Sequence, residues 1–496
     1  MSVPTVAIVG LGPKGLHCLE RLCAEYAAGP AGEPLVVHVF DREECSPIYD
    51  TTQPDHIIVN VAVGEIDFWD AVDPPPAAGR GPSFVDWYGA PLTGNEYLPR
   101  AVVGRYLRDC LRRLLDHVPP GMTIVRHGEE VADIDDGVLQ PAGVRADRIL
   151  LATGHQRRGT GWKPAPHEVF IPFVYPVTEM MRPVPAGSRV AMLGIGLTFI
   201  DAVLELTEGR GGRFKGGTYV RSGNEPAVIY PYSRTGLPMT PKPDDFPPPR
   251  KLRFVTDEAL AELRARGQID FERDVIPLID QELEGFDWRS AINPVVDNVT
   301  SYMEEAIATA KREATPISLW YEIRTALNNV LRFGGFTPES HRALIDDYFP
   351  RFKRVVFGPP VINAEKILAL TKAGVIDFRY SRQPRIDGVD VLIDARFPKT
   401  DIVADPSPLY RNLCRRGIIR PFRNGDYAPG AIDMTPGSQH VIGADGAVNE
   451  TIAVIGIPTE GNFVGNLTIV RDSFAGTWAR DVIAAVSSLP TPSPVA

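Results

Sequence analysis

The sequence predicts an α/β protein with two Rossmann-type, dinucleotide-binding strand–turn–helix units and a helical insertion, on three observations. The short β-branched run Val6-Ala-Ile-Val9 leads straight into Gly10-Leu-Gly12-Pro13-Lys14-Gly15 and then into a helical pattern from Leu16 to Tyr26. A second unit repeats this order, with Arg189 to Leu193 as strand, Gly194-Ile-Gly196 as turn and Leu197 to Thr207 as helix. Between Lys251 and Lys372 the apolar spacing turns helical, as in Thr256 to Arg264 and Val299 to Arg312.

Each element follows in chain order. After a Gly/Pro-rich turn, Leu35-Val-Val-His-Val-Phe40 reads as a second strand ending on Asp41, which closes a βαβ unit with an acid at the end of its second strand and sets Arg42 beside it as a further cofactor-binding candidate. The segment from Asp50 to Gly104 has little periodicity but carries Ile57, Ile58, Val59, Phe68, Trp69 and Trp87, which need burial, so it predicts long loops folded over a site. A helix from Val103 to His117 and strands at Met122 to Val125 and Arg148 to Ala152 come next, the last running into Thr153-Gly154. The last hundred residues return to strands, clearest at Val391 to Ala395 and Thr451 to Ile455. The Ser487 to Ala496 tail is expected to be disordered.

Size and charge narrow the classes of function. With 496 residues the chain is long enough for two to four compact units. Its 52 basic and 62 acidic side chains leave a formal net charge of -10, without the basic footprint of a nucleic-acid binder. Cys18, Cys23, Cys45, Cys110 and Cys414 form no C-x-x-C pair, which argues against a disulfide framework, a metal site or a redox-active dithiol. The N-terminus lacks the basic region and cleavage site of a signal peptide, and no apolar run reaches the roughly 18 residues of a membrane span. A cytoplasmic protein, off the membrane, is expected; a homo-oligomer is left open.

The turns carry the chemistry. Gly10 permits the tight turn, Gly12 lets the backbone approach a pyrophosphate, Gly15 allows close helix–strand packing, and the helix N-terminus opened by Pro13 and Lys14 offers free N–H groups to phosphate. Asp41 is placed to accept hydrogen bonds from an adenosine ribose. In the second unit Gly194, Gly196 and Thr198 repeat the logic, but Phe199 stands where a third glycine would, so this turn is either a second nucleotide site or an ordinary strand–helix connection. Downstream, Ser233-Arg234 ends the strand from Ile229, where an arginine can meet the 2′-phosphate of NADPH; Arg221 competes for that role, and the alternative for either is a solvated surface arginine. Ala152-Thr153-Gly154 stands between the two units, where a two-dinucleotide flavoprotein passes from its FAD domain to its NAD(P)H domain. The order implies FAD and NADPH as cofactors, with hydride passed into a flavin. Without a cysteine pair, reducing equivalents are expected to reach oxygen or a small acceptor.

The chain also resembles a known family. Gly10-Leu-Gly-Pro-Lys-Gly15, Tyr49-Asp50, the loop Pro54-Asp-His56-Ile-Ile-Val-Asn60-Val-Ala62, Tyr97-Leu-Pro-Arg100, Gly104-Arg105-Tyr106-Leu107, Ala152-Thr-Gly-His155 and Gly194 to Asp201 are similar to those of the bacterial FAD/NAD(P)-binding flavoproteins related to the amino-acid N-hydroxylases. Among these are aspartate N-hydroxylases that form nitrosuccinate. The resemblance covers most of the chain. It implies a flavin monooxygenase that uses FAD, NADPH and oxygen, through a C4a-(hydro)peroxyflavin, to hydroxylate a small substrate, foremost the nitrogen of an amino acid or amine. By the same resemblance Asn60 faces the flavin or nicotinamide, or else only fixes its loop. Arg100 and Arg105 bind cofactor phosphate or a substrate carboxylate, or form structural salt bridges. His56 is either a base or a satisfied loop histidine. Gly461 and Asn462, where such flavoproteins place Gly-Asp, touch FAD through backbone groups or make a plain turn. The expected division is a FAD domain from residues 1–170 and 391–486, an NAD(P)H domain over 171–250, and a helical insertion with the rest of the NAD(P)H and substrate region over 251–390. Two other readings stay open, a flavin oxidase or dehydrogenase and a non-catalytic FAD-bound sensor.

Overall fold

The structure is a computed structural model that describes residues 3–29, 34–42, 47–69, 72–155, 169–243, 250–312, 319–383, 387–462, 471 and 473–488. Along the chain the first unit comprises β1 (Thr5–Val9), α1 (Pro13–Ala28), β2 (Leu35–Phe40), α2 (Arg100–Asp116), β3 (Met122–His127) and β4 (Arg148–Leu151). The second comprises β5 (Val169–Ile171), β6 (Arg189–Leu193), α3 (Leu197–Thr207) and β7 (Val228–Tyr232). A helical stretch follows, within which α4 (Val299–Arg312), α5 (Trp320–Leu331), α6 (Phe349–Val356) and α7 (Val361–Lys372) matter most for the site. The chain ends with β8 (Val391–Asp394), β9 (His440–Ile442), β10 (Val448–Val454) and α8 (Ala475–Ser487).

Two sheets result. The first has the order β9-β10-β4-β1-β2-β3 and is parallel except for the edge strand β9. The second, β7-β6-β8-β5, is parallel throughout. Strands covered on both faces need apolar residues on both, and this is why β1 and β8 read as continuous apolar runs and not as alternating ones. Val6, Ile8, Val37 and Leu150 pack with Leu19 of α1 and Trp478 of α8 in one core, and Val190, Met192, Ile229 and Ile393 pack with Val203 of α3 in another. A third core, around Phe271, Trp288, Trp320, Phe336 and Phe352, belongs to the helical stretch.

The structure differs from the expected division at 391. Val391–Asp394 lies in the second sheet, paired with β6 and β5, so that sheet is completed only after the helices have been threaded. Val169–Ile171 also belongs there. Helix α7 supplies the crossover: its Ile367 and Leu370 pack into the core of the second sheet, so it is not part of a separate body. The tail expected to be disordered falls outside the described residues from 489 onward. Among the described residues no helix is long and apolar enough to cross a membrane.

Candidate active site

In each sheet the central strand has neighbours reached by opposite routes, β2 and β4 for β1, and β7 and β8 for β6. Such switch points, at the carboxyl ends of parallel strands, are where open α/β sheets bind ligands. Both glycine turns sit there. Gly10 has φ +102° and Gly194 φ +99°, a region that favours glycine. A Cβ on Gly10 would lie 2.4 Å from the Ala152 carbonyl oxygen at the end of β4, and one on Gly194 would lie 3.0 Å from the Ala395 carbonyl oxygen at the end of β8. The two units are thus built alike, down to the alanine that walls each turn. Gly15 packs closer still, since a Cβ there would fall 1.9 Å from the Gly10 oxygen.

The residues at the first turn fit FAD. Gly12 caps α1 with no side-chain hydrogen bond, Pro13 opens the helix and no acid occupies its first turn, which leaves the positive end of the helix for a pyrophosphate. Asp41 is drawn to the turn, where one carboxylate oxygen accepts from the Leu11 N–H at 2.5 Å. Lys14 Nζ donates to the Arg471 carbonyl at 2.5 Å, and Arg42 forms an exposed ion pair with Glu130 at 2.8 Å. Across the sheet Thr153 Oγ1 and Tyr410 Oη lie 2.6 Å apart, and Gly154, at φ +66°, has open space where a Cβ would go. Asn462 is fully buried. Its Oδ1 accepts from the Phe333 N–H at 2.7 Å, while its Nδ2 is buried with no acceptor among the described residues. Gly461, at φ +109°, gives its carbonyl to His341 Nε2 at 2.8 Å.

At the second turn Gly196 caps α3, again without a side-chain cap or an acid in the first turn, and Thr198 is buried in that turn. Phe199 does not disturb the geometry, because its ring is buried in the sheet core. Ser233 accepts from the Gly236 N–H at 3.0 Å and shapes the turn after β7, and the exposed Arg234 donates to the Asp346 carbonyl at 3.3 Å. Register separates the two arginine candidates. Tyr232, beside Ser233, pairs with Leu193 next to the glycine turn, whereas Arg221 is bonded to the Pro226 and Ala227 carbonyls where β7 begins, at the opposite end of the sheet. Two arginines missed in the sequence stand at the correct end: Arg396 is folded onto Asp394 at 2.8 Å beside Gly194, and Arg382 donates to the Thr235 carbonyl at 3.2 Å. The place of Arg396 depends on β8 joining this sheet and that of Arg382 on Ser381 accepting from the Ser233 N–H beside β7, contacts for which the sequence has no local signal.

His56 and Arg100 point across the molecule. The Arg100 guanidinium meets Asp201 of α3 at 2.8 Å, stacks 5.8 Å from the Tyr175 ring and donates to the Ile58 carbonyl at 3.3 Å. Tyr175 Oη donates to the same carboxylate at 2.6 Å. Burial works against the Arg100 charge, but Asp201 and Tyr175 outweigh it and hold its pKa above the ordinary value. His56 Nε2 lies 2.8 Å from Glu205, one helical turn along α3 from Asp201. The loop carrying Asn60 and the start of α2 are thereby clasped to the second unit. Arg105 is exposed on α2 and forms no ion pair among the described residues. Asn60 is half-buried and its carbonyl accepts from Lys242 Nζ at 2.5 Å.

Further charge collects where the first sheet faces α6. Burial, with Lys353 nearby, lowers the His155 pKa to about 4, so the imidazole stays neutral at physiological pH. Burial raises the Glu460 pKa against the opposing pull of Lys353. Beside the second turn a small, mostly apolar pocket opens between Ile195, Phe199, Pro238, Met239, Tyr302 and Met303.

Residues 7–156 match the model of a family described as FAD-NAD(P)-binding. Nitrosuccinic acid synthase of Aspergillus oryzae is 25% identical, with 92% of this chain and 88% of that protein covered. The nitrosuccinate-forming L-aspartate N-monooxygenase of Streptomyces davaonensis is also 25% identical, with 92% of each covered. In three dimensions the ornithine N-hydroxylase of Kutzneria sp. 744 superimposes with a TM-score of 0.52 at 13% identity, covering 98% of this chain and 99% of that one. The chain is a two-dinucleotide flavoprotein in fold. The L-lysine 6-monooxygenase of Pseudomonas syringae has the same architecture, with a TM-score of 0.51 at 13% identity over 98% of this chain and 99% of that one.

Proposed function

We propose that this flavoprotein is an NADPH-dependent FAD monooxygenase that hydroxylates the nitrogen of a small amino acid or amine, with aspartate the first substrate to test. The observation that carries the reading is the pair of matching glycine turns, each at the switch point of its own parallel sheet and joined by the clasp from α2 to α3. One turn receives FAD, the other NADPH, and FAD supplies hydride acceptance and the activation of oxygen. The similarity to nitrosuccinate-forming enzymes over nine-tenths of the chain supports nitrogen as the atom oxidised.

The chain's own residues then divide the work. Gly10, Gly12, Pro13, Lys14, Gly15 and Asp41 hold the FAD pyrophosphate and ribose, and Thr153, Gly154, Gly461 and Asn462 line the flavin end. Gly194, Gly196, Thr198, Ser233 and Arg234 hold NADPH, with Arg234 on the 2′-phosphate. Asn60 orients its loop toward the reacting centre, and the buried aromatic residues of that region, Phe68 and Trp69 among them, keep water from it. Arg100 and His56 act on the substrate only indirectly, by fixing that loop against α3. The test is anaerobic titration with NADPH, which should bleach the flavin, followed by oxygen and a panel of amino acids and amines with product mass spectrometry. Bleaching with no oxygenated product from any member would overturn the reading in favour of an oxidase.

A further inference from the structure

Lys242 follows the turn after β7 in a Pro-rich stretch, Leu237-Pro-Met-Thr-Pro-Lys242-Pro, and its side chain is 9% exposed. Among the described residues its ammonium has one hydrogen-bond acceptor, the Asn60 carbonyl, and lies 6.0 Å from the centre of the Tyr321 ring. Two of its three N–H donors are left over, and a buried ammonium is costly unless paired. Glu65 acts on it at a distance but forms no ion pair with it. On α5, one turn from Tyr321, Arg324 stacks 5.1 Å over Phe357 and brings a second positive charge to bear on Lys242. Tyr321 itself is fixed by donating its hydroxyl to the Val356 carbonyl, and Tyr97 is near enough to act on it. Three separate segments, the Asn60 loop, the stretch after β7 and α5, thus converge around Lys242, with Arg324 on one side of the charge balance and Glu65 and Glu322 on the other. The two spare donors of the buried ammonium call for a further acceptor.

We infer that Lys242 and Arg324 form the seat for a substrate carboxylate, so that the enzyme takes amino acids ahead of diamines. This rests on the N-hydroxylation reading for its use but not for its test, because binding can be measured without turnover. A carboxylate on Lys242 would accept the two spare N–H groups and offset the burial of the ammonium. A carboxylate on Lys242 would then lie beside the Asn60 carbonyl, on the loop the proposed function places at the reacting centre. Burial, helped by Arg324 and opposed by Glu65, lowers the Lys242 pKa to about 8. The free ammonium is therefore present below that pH and lost above it, and anion binding follows.

The experiment is equilibrium binding of succinate, which lacks an amine and cannot be N-hydroxylated, to the FAD-loaded enzyme by calorimetry. Wild type should bind succinate but not 1,4-diaminobutane, and affinity should fall by about tenfold per pH unit above about pH 8. Lys242→Met should weaken succinate by about ten- to a hundredfold, the loss of a charge-assisted contact, with FAD occupancy as the folding control. Lys242→Arg should bind and no longer titrate in that range, and Arg324→Gln should weaken binding even if the methionine variant fails to fold. Succinate affinity that is flat with pH in the wild type, or unchanged in both Lys242→Met and Arg324→Gln, would overturn the inference. Binding as expected without any oxygenated product from aspartate or any other amino acid or amine of the panel would leave the seat standing and remove the N-hydroxylation reading instead.

Discussion

At the residue scale, Arg100 and His56 combine legible chemistry with partners that cannot be read from sequence. Their type suggests phosphate, carboxylate or proton work, but Asp201 and Glu205, about a hundred or more positions away, take them up first. The pairs become visible only once α3 is placed against the Asn60 loop. A buried ion pair cut on one side leaves an unpaired charge, so Arg100→Met should destabilise the protein by about 3–5 kcal/mol in denaturant unfolding, whereas Arg105→Ala, on the exposed face of α2, should stay within about 0.5 kcal/mol. Removing both charges in Arg100→Met/Asp201→Leu should recover most of that loss, since two apolar side chains leave no orphaned charge. An Arg100→Met variant as stable as wild type but unable to oxygenate substrate would assign the guanidinium to the substrate and not to the clasp.

At the scale of elements, local pattern is a good guide where one strand, one turn and one helix decide the outcome. The helix expected over 197–207 is found at Leu197–Thr207, and the strand expected over 35–40 at Leu35–Phe40, because apolar spacing and the flanking glycines act within a few residues of each other. The short helix Phe84–Tyr88 lies inside the segment read as loops, capped by Ser83 and closed by Gly89, too brief for any periodicity to register. The glycine turn makes a sharp prediction. Gly15→Ala puts a methyl group on the Gly10 carbonyl, forcing α1 off β1, and the purified protein should be largely free of FAD; full flavin content in that variant would refute the role of this packing. At the end of β7, Arg234→Ala should erode the preference for NADPH over NADH by about ten- to a hundredfold, the value of a charge-assisted contact, while Arg221→Ala should leave it intact. The reverse outcome, read from flavin reduction rates with each nucleotide, would mean that the strand-end assignment is misplaced.

For the whole molecule, what the sequence conceals is order in space. Val391–Asp394 is plain as a strand, yet its sheet is set by pairing with β6, nearly two hundred residues earlier, and only that pairing carries Arg396 to the second turn. The surroundings of Lys242 are hidden for the same reason, since the three contributing segments are far apart in the chain and the helices that supply one of them are inserted between β7 and β8 of the second sheet. The two nucleotide units are legible because each repeats a local motif; the clasp between them and the surroundings of Lys242 are not. The central claim is that this assembly delivers reducing equivalents from NADPH, through FAD, to oxygen and then to a substrate nitrogen. It is tested most directly by turnover of aspartate with NADPH under oxygen-18 gas and mass analysis of the product. The account predicts a product whose new nitrogen-bound oxygen carries the heavy isotope, formed in step with NADPH consumed. Consumption of NADPH with hydrogen peroxide in equal amount and no labelled product, from aspartate or any other amine, would contradict it.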